Sequence, residues 1–237
     1  MTTSSNMYAN ARTWNPFKGC KFDCLYCLPS FQRQAKRQKH HCMKCYNYIP
    51  HCHPDRLSKI PASKIVFVCG NADIAFCSPA FVKRIIDAIK NRKGRSAQTY
   101  YLQSKKPSCL EPFLKLLNKD FILLTTLETN RDKGYRKISR APLPTKRYQQ
   151  FLSLKYPRKA VTIEPIMDFD VNTLASWMIK IKPEYVWLGY DSKNCHLPEP
   201  SKEKLLEFVK ILNKHKIAVL GKTLRGIKLP KVVKTQG

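Results

Sequence analysis

Apolar positions along this chain fall into short β-rich runs that alternate with longer stretches of helical spacing. The runs at 65–69 (IVFVC), 99–102, 121–127 (FILLTTL), 160–163, 185–189 (YVWLG) and 217–220 read as strands. Between the first two, Ser78-Pro79 supplies a cap and a first-turn proline, and Phe81, Ile85, Ile86 and Ile89 then share one face up to Lys90. Further helices are expected over 110–117, 144–156, 172–181 and 201–213. The last opens on Ser201 and presents Leu205, Leu206, Val209 and Leu212 at helical spacing. With a short strand before Cys20, the pattern gives about six or seven β/α units. Such units pair in parallel through right-handed crossovers. The expected fold is α/β, a partial or near-complete parallel (β/α) barrel in preference to a doubly wound sheet. In barrels of this kind chemistry sits at the C-terminal ends of the strands.

Length and composition keep this within one domain. The 237 residues are 43% hydrophobic, enough for a full core, so a single domain over 1–237 is expected. It carries a Cys/His-rich insertion at 38–58 and a basic C-terminal tail at 222–237. No stretch approaches the roughly 18 apolar residues of a membrane span, and the N-terminus lacks the apolar run of a secretory signal. Ten cysteines in that setting point to metal ligation in a reducing cytoplasm rather than to a disulfide scaffold.

Charge adds a partner class. Lysine plus arginine outnumber aspartate plus glutamate 44 to 16, a formal net charge of +28. A field of that size draws polyanions, and DNA or RNA is the expected partner, through phosphate neutralisation. The plainer account is compositional, with lysines that only solubilise a surface. The basic runs at 33–39 (RQAKRQK) and 131–147 are candidate substrate-facing loops or solvated stretches.

Cys20, Cys24 and Cys27 are spaced C-x3-C-x2-C, with Tyr26 just before the third. Most iron–sulfur proteins use four cysteines per cluster. Three thiolates leave one iron of a [4Fe–4S] cube open, and an open metal position marks a catalytic site. A zinc or structural cysteine cluster is the other reading of three close cysteines. The pattern resembles the radical S-adenosylmethionine (SAM) superfamily, whose signature is CxxxCx(aromatic)C. The resemblance implies that the unique iron is chelated by SAM, and that one electron cleaves SAM to methionine and a 5′-deoxyadenosyl radical. A donor such as a ferredoxin or flavodoxin would supply that electron.

Carboxylates are scarce, yet Asp73, Glu128, Glu164 and Asp191 each follow a separate strand. After 65–69 come Gly70, Asn71 and Asp73. Glycine permits close backbone approach to a ligand, and the two polar residues suit an ammonium or hydroxyl. Loops of this type also carry Asp or Asn as helix caps, the expected role of Asp170 or Asn172. Glu128 and Glu164 abut a strand end with no helix beginning at once, which favours a site.

The ordered blocks TWNP at 13–16, the cysteine motif, VFVCGNAD, YYLQSKKP, TLETNR, VTIEPIMDFD and VWLGYDSKN are similar to the radical-SAM group known as DUF5131, or phage Gp37/Gp68-like. This resemblance covers roughly residues 11–215 and implies a partial radical-SAM barrel. It implies that the Gly70–Asp73 loop meets the SAM amino group, that Thr126 and Glu128 lie near the ribose, and that Tyr26 approaches the adenine through its backbone. The usual Gly-Gly-Glu form of the amino-group loop is absent.

A second metal site is expected in the insertion. Cys42 and Cys45 form a C-x2-C knuckle, Cys52 adds a third thiolate, and His41, His51 or His53 completes a Cys3His zinc site, with His53 the chosen ligand. An auxiliary iron–sulfur cluster and unligated cysteines are the alternatives. Cys69, Cys77, Cys109 and Cys195 are expected to pack as small apolar residues.

The sequence thus points to a radical-SAM enzyme acting on nucleic acid, in base repair or modification. A radical-SAM enzyme acting on protein or metabolite, and a non-catalytic zinc module that binds nucleic acid, are the competing readings.

Overall fold

A computed structural model describes residues 11–92, 98–222, 224–227 and 229. Nine strands are defined among them: β1 (Ala11–Trp14), β2 (Phe17–Lys18), β3 (His51–Cys52), β4 (Ile65–Val68), β5 (Thr99–Gln103), β6 (Phe121–Thr126), β7 (Lys159–Ile163), β8 (Tyr185–Gly189) and β9 (Ala218–Lys222). Seven of them form one sheet in the order β1-β4-β5-β6-β7-β8-β9, with every pairing parallel. The order never reverses, so the sheet curls in one sense into a half-barrel and has no switch point of the doubly wound kind. Strands β2 and β3 make a separate antiparallel pair, Phe17 opposite Cys52 and Lys18 opposite His51.

The helices are α1 (Arg33–Ala35), α2 (Met43–Tyr46), α3 (Pro79–Lys90), α4 (Pro144–Ser153), α5 (Val171–Ile181) and α6 (Lys202–Lys214). Their starts follow local chemistry. Ser78 accepts from the Phe81 amide, Asp170 from Thr173 and Ser201 from Lys204. Asp170 is therefore the cap of α5, and Asn172 lies inside the helix. Helix α5 stops at Lys182, which turns to φ 51°. The expected helix at 110–117 forms instead as a 3-10 run over Pro107–Leu116, with Pro112 inside it. Proline removes an amide donor and does not sit in a regular α-helix interior.

Strand alternation divides the apolar residues between two sides of the sheet. The convex side carries the main core, with Phe121 and Leu123 of β6 packing near Ile85 and Ile86 of α3, Phe151 of α4, Leu174 of α5 and Phe208 of α6. The concave side carries a smaller cluster of Phe67, Tyr101, Ile122, Leu124, Ala160 and Trp187. Cys69 and Cys77 belong to the main core and Cys109 packs against it. Leu224 and Ile227, within the expected basic tail, are also buried there; 230–237 lie outside the described residues. Among the described residues, no helix is long and apolar enough to cross a membrane.

Candidate functional site

The cysteine motif leaves the sheet at the C-terminal end of β1. Chain direction there is set by Gly19, at φ 89°, whose amide donates to Asn71 O at 3.2 Å and which bridges to Ala72. Cys20 therefore emerges beside the loop after β4. Asp23 takes φ 50°, and Cys24 begins a short 3-10 turn over Leu25–Cys27, closed by the Cys27 amide on Cys24 O at 2.8 Å. Cys20, Cys24 and Cys27 share a satellite apolar cluster with Phe22, Tyr26, Ala75, Phe76 and Ala141. The Phe22 and Phe76 rings stand 4.7 Å apart.

A distant segment closes over this loop. The Leu25 amide donates to Ile138 O at 2.9 Å and the Arg140 amide to Phe22 O at 2.7 Å. The Ser139 hydroxyl lies 3.0 Å from Cys24 Sγ. Burial pushes the Cys20 thiol well up, helped by Asp73 and the two other cysteines, and burial also raises Cys27. Burial thus favours the neutral thiols at Cys20 and Cys27, and thiolates here would be stabilised by a bound cation. An all-sulfur donor set in an apolar enclosure fits an iron–sulfur cluster held by three cysteines.

Behind the loop lies a buried charged network. Tyr26 and Lys105 both hydrogen-bond the Glu128 carboxylate, and Lys105 also reaches the Tyr26 hydroxyl. Tyr135 donates to the same carboxylate at 3.1 Å, and Arg147 pairs with its other oxygen at 2.7 Å. Glu128 and Arg147 are both 0% exposed. Burial alone would push the Glu128 carboxyl up; Arg147 and Lys105 overcome that and hold it well below the usual carboxylate range. Burial and the same carboxylate push the Tyr135 hydroxyl up to about 12. Arg147 also donates to Thr126 O at 2.6 Å, which fixes the end of β6.

Arg147 was legible in the sequence only as the end of a basic connection. It sits in α4 between Pro144 and Phe151, on the buried side with Tyr148. Its spacing of four from Phe151 is the signal that places it inward. Lys105 and Ser139 carry no comparable signal, since their partners are far away in the chain, and Tyr135, seven residues from Glu128, sits on an irregular 3-10 turn with no period to read.

Other expected residues gather at the same end of the sheet. Gly70 packs so tightly that a Cβ would lie 2.8 Å from the Phe67 ring and 2.9 Å from Thr13. The Asn71 amide donates to Asn15 Oδ1 at 3.1 Å. Asp73 is buried and accepts from the Ala75 amide, the Ser104 hydroxyl and the Lys105 amide, at 3.0, 2.7 and 2.8 Å. It thereby caps the turn after β4 and ties it to the end of β5. Thr126 lies in a polar layer with Gln103 and Thr162, at 2.8 and 2.9 Å from its hydroxyl. Glu164 accepts from the Trp187 indole at 2.8 Å. Asp191 accepts from the Lys193 amide at 2.9 Å and from the Cys195 amide, an Asx-type turn.

The insertion brings Cys42, Cys45 and His53 together, with one correction. Cys52 is not with them, and His51 takes its place. Successive residues of a strand face opposite ways. In β3, His51 shares the Lys18 side while Cys52 shares the Phe17 side and turns toward Cys77.

No family model matches this chain, and no curated protein matches it. Solved structures do. A spore photoproduct lyase mutant with bound AdoMet and dinucleoside spore photoproduct superposes with a TM-score of 0.52 at 10% identity, over 85% of this chain and 61% of that one. Streptococcus suis SuiB bound to precursor peptide SuiA gives 0.57 at 9% identity, over 90% and 48%. SuiB bound to S-adenosylmethionine gives 0.56 at 10% identity, over 95% and 52%. The fold is shared with these S-adenosylmethionine-bound structures. The chain spans about half to three-fifths of the length of these proteins.

Proposed function

We propose that this protein is a radical-SAM enzyme of the DUF5131, or phage Gp37/Gp68-like, type, and that it acts on nucleic acid. The observation that carries the first part is the place of Cys20, Cys24 and Cys27, on one enclosed loop beside the C-terminal ends of a parallel half-barrel. When bound to these thiolates, a [4Fe–4S] cluster with SAM supplies one-electron cleavage to a 5′-deoxyadenosyl radical.

The chain's own residues prepare that chemistry. Phe22, Phe76 and Ala141 shield the thiols, Cys24 fully and Cys20 and Cys27 in part. Glu128, kept ionised by Arg147 and Lys105, anchors the Tyr26 hydroxyl and so orients the turn between Cys24 and Cys27. Its Oε1 is taken up by Tyr26, Lys105 and Tyr135 and its Oε2 is ion-paired with Arg147, so Glu128 acts as a positioning residue. Thr126, Gln103 and Thr162 offer hydroxyl and amide groups to a ribose on the concave side. Gly70 permits close backbone approach beside Cys20 for the amino acid end of SAM, Asn71 offers its side chain there because its amide and carbonyl are bonded to Asn15 and Gly19, and Asp73 holds that loop in place. Glu164 adds a carboxylate at the end of β7.

Two basic runs support a polyanionic substrate. Arg33, Lys36, Arg37 and Lys39 are exposed directly after the cysteine motif. Arg136, Lys137 and Arg140 are exposed on the segment stitched over it. A base would have to be single-stranded or flipped out to reach this site. A peptide substrate is the second reading, favoured by the fold match to SuiB with precursor peptide SuiA.

The test is anaerobic turnover with dithionite and SAM, with single-stranded DNA, RNA or peptide added in turn. Oligonucleotides that raise 5′-deoxyadenosine formation support the reading. Stimulation by peptide alone would replace it with the second.

A further inference from the structure

The insertion holds a second, separate donor set. Cys42, Cys45, His51 and His53 each offer one ligand atom, and all four atoms lie within 4.8 Å of one another. His51 Nε2 stands 3.4 Å from both Cys42 Sγ and Cys45 Sγ, and His53 Nε2 stands 3.2 Å from Cys45 Sγ. Zinc bonds of about 2.3 Å to sulfur and about 2.0–2.1 Å to nitrogen put S and N about 3.5 Å apart at a tetrahedral angle. The observed spacings match that figure.

Local structure is built around the four atoms. Cys42 caps α2, its sulfur accepting from the Cys45 amide at 3.3 Å. Such amide–sulfur bonds stabilise thiolate character at a metal knuckle. His51 and His53, two apart along the chain, face the same way, with ring centroids 4.5 Å apart. The Nδ1 of His51 meets Ile49 O at 2.7 Å, which fixes the ring and leaves Nε2 as the ligand.

The donor geometry also separates one ion from a cluster. In a mixed Cys2His2 two-iron centre, the histidines bind one iron and the cysteines the other. Here one histidine nitrogen is equidistant from both thiols, as ligands of a single ion are. Little else holds this segment: Cys45 is its buried residue, while Met43 and Ile49 are exposed.

We propose that Cys42, Cys45, His51 and His53 bind one Zn²⁺ in a closed tetrahedral site, and that this ion braces the cysteine motif. The brace runs through Tyr48. Its carbonyl accepts from the Cys20 amide at 3.3 Å, and its hydroxyl lies 3.8 Å from Cys27 Sγ. Gly19 fits against the same loop so closely that a Cβ would sit 2.3 Å from Ile49 O. A closed four-ligand site has no open position for substrate, so its role is structural. This holds whatever the 20–27 loop itself binds.

The experiment is elemental analysis of the full-length protein after dialysis against metal-free buffer, followed by cobalt exchange. The expected result is about one zinc per chain, the stoichiometry of a structural site. C42S and H53A should lose at least about nine-tenths of it, while C52S retains it. If those variants are insoluble, the wild-type protein decides. Cobalt should give the intense visible bands of a tetrahedral ion with thiolate charge transfer. Zinc unchanged in C42S and H53A, zinc lost in C52S, iron in place of zinc at this site, a Cys42–Cys45 disulfide, or cobalt spectra without thiolate bands would each overturn the proposal.

Discussion

The hydroxyl of Tyr26 donates to the carboxylate of Glu128, 102 residues further along the chain, and the bond joins the cysteine turn to the end of β6. Both partners are enclosed with Lys105, Tyr135 and Arg147. The turn that presents two of the three thiols is thus positioned by an ion pair that no solvent reaches.

Removing the charge of Glu128 should therefore destabilise the fold strongly. E128Q leaves Arg147 buried without a counter-ion, at a cost of about 3–5 kcal/mol. Y26F removes one hydrogen bond to a charged group, a loss of about 1.5–3 kcal/mol. The double variant E128Q/R147M should recover much of the E128Q loss, because breaking a buried pair costs more than replacing it. Urea unfolding of the three variants measures this. Equal losses for E128Q and a surface change such as E111Q would refute it.

The same carboxylate sets a pH dependence. Its folded-state pKa lies below the ordinary value of 4.5. Its contribution is complete above about pH 4.5 and is lost as pH falls below that, since protons then bind the unfolded chain first. The stability gap between wild type and E128Q should be flat from neutral pH to about pH 5 and should shrink in more acid solution. Asp73, raised by burial, works in the opposite sense, so the difference between the two proteins is the quantity to follow. A gap that widens on acidification contradicts the assignment.

Two glycines with positive φ should respond differently to alanine. Gly134, at φ 78°, has nothing within 4 Å of the position a methyl group would take, so G134A should lose only the left-handed backbone cost, about 1–2 kcal/mol. Gly19, at φ 89°, would drive a methyl into Ile49 O, so G19A must also displace the loop that carries Tyr48. G19A should be the more destabilised of the two and should retain less iron after anaerobic reconstitution. Equal unfolding midpoints and equal iron would count against the close packing of Gly19.

Nucleic-acid binding should depend steeply on salt. Neutralising Arg33, Lys36, Arg37 and Lys39 to glutamine should weaken single-stranded DNA binding and reduce the salt slope by roughly 0.7 for each phosphate that is no longer neutralised. Fluorescence anisotropy across a salt series measures it. An unchanged slope would place the phosphate-binding residues elsewhere.

The fold was largely legible because its strands are continuous apolar runs and its helices begin at Ser78, Asp170 and Ser201. Strand limits moved by a residue or so, as at β5, which extends to Gln103. The Cys52 assignment failed for a definite reason. Two-residue β3 has no visible alternation of its own, and its facing comes from pairing with Phe17 and Lys18, 33 residues or more earlier. The polar network around Glu128 was half legible. The carboxylate stood out as a rare acid at a strand end, while its partners lie on a 3-10 turn, a loop and a helix that meet only in the folded chain.

Everything proposed for the reaction depends on three thiols holding a cluster that cleaves SAM, and one assay addresses it. The protein is reconstituted anaerobically with iron and sulfide, reduced with dithionite and given SAM, and 5′-deoxyadenosine is quantified alongside C24A. A brown wild-type protein that forms 5′-deoxyadenosine, with C24A forming none, is the predicted result. A colourless protein that keeps its zinc, takes up no iron and leaves SAM intact would contradict it.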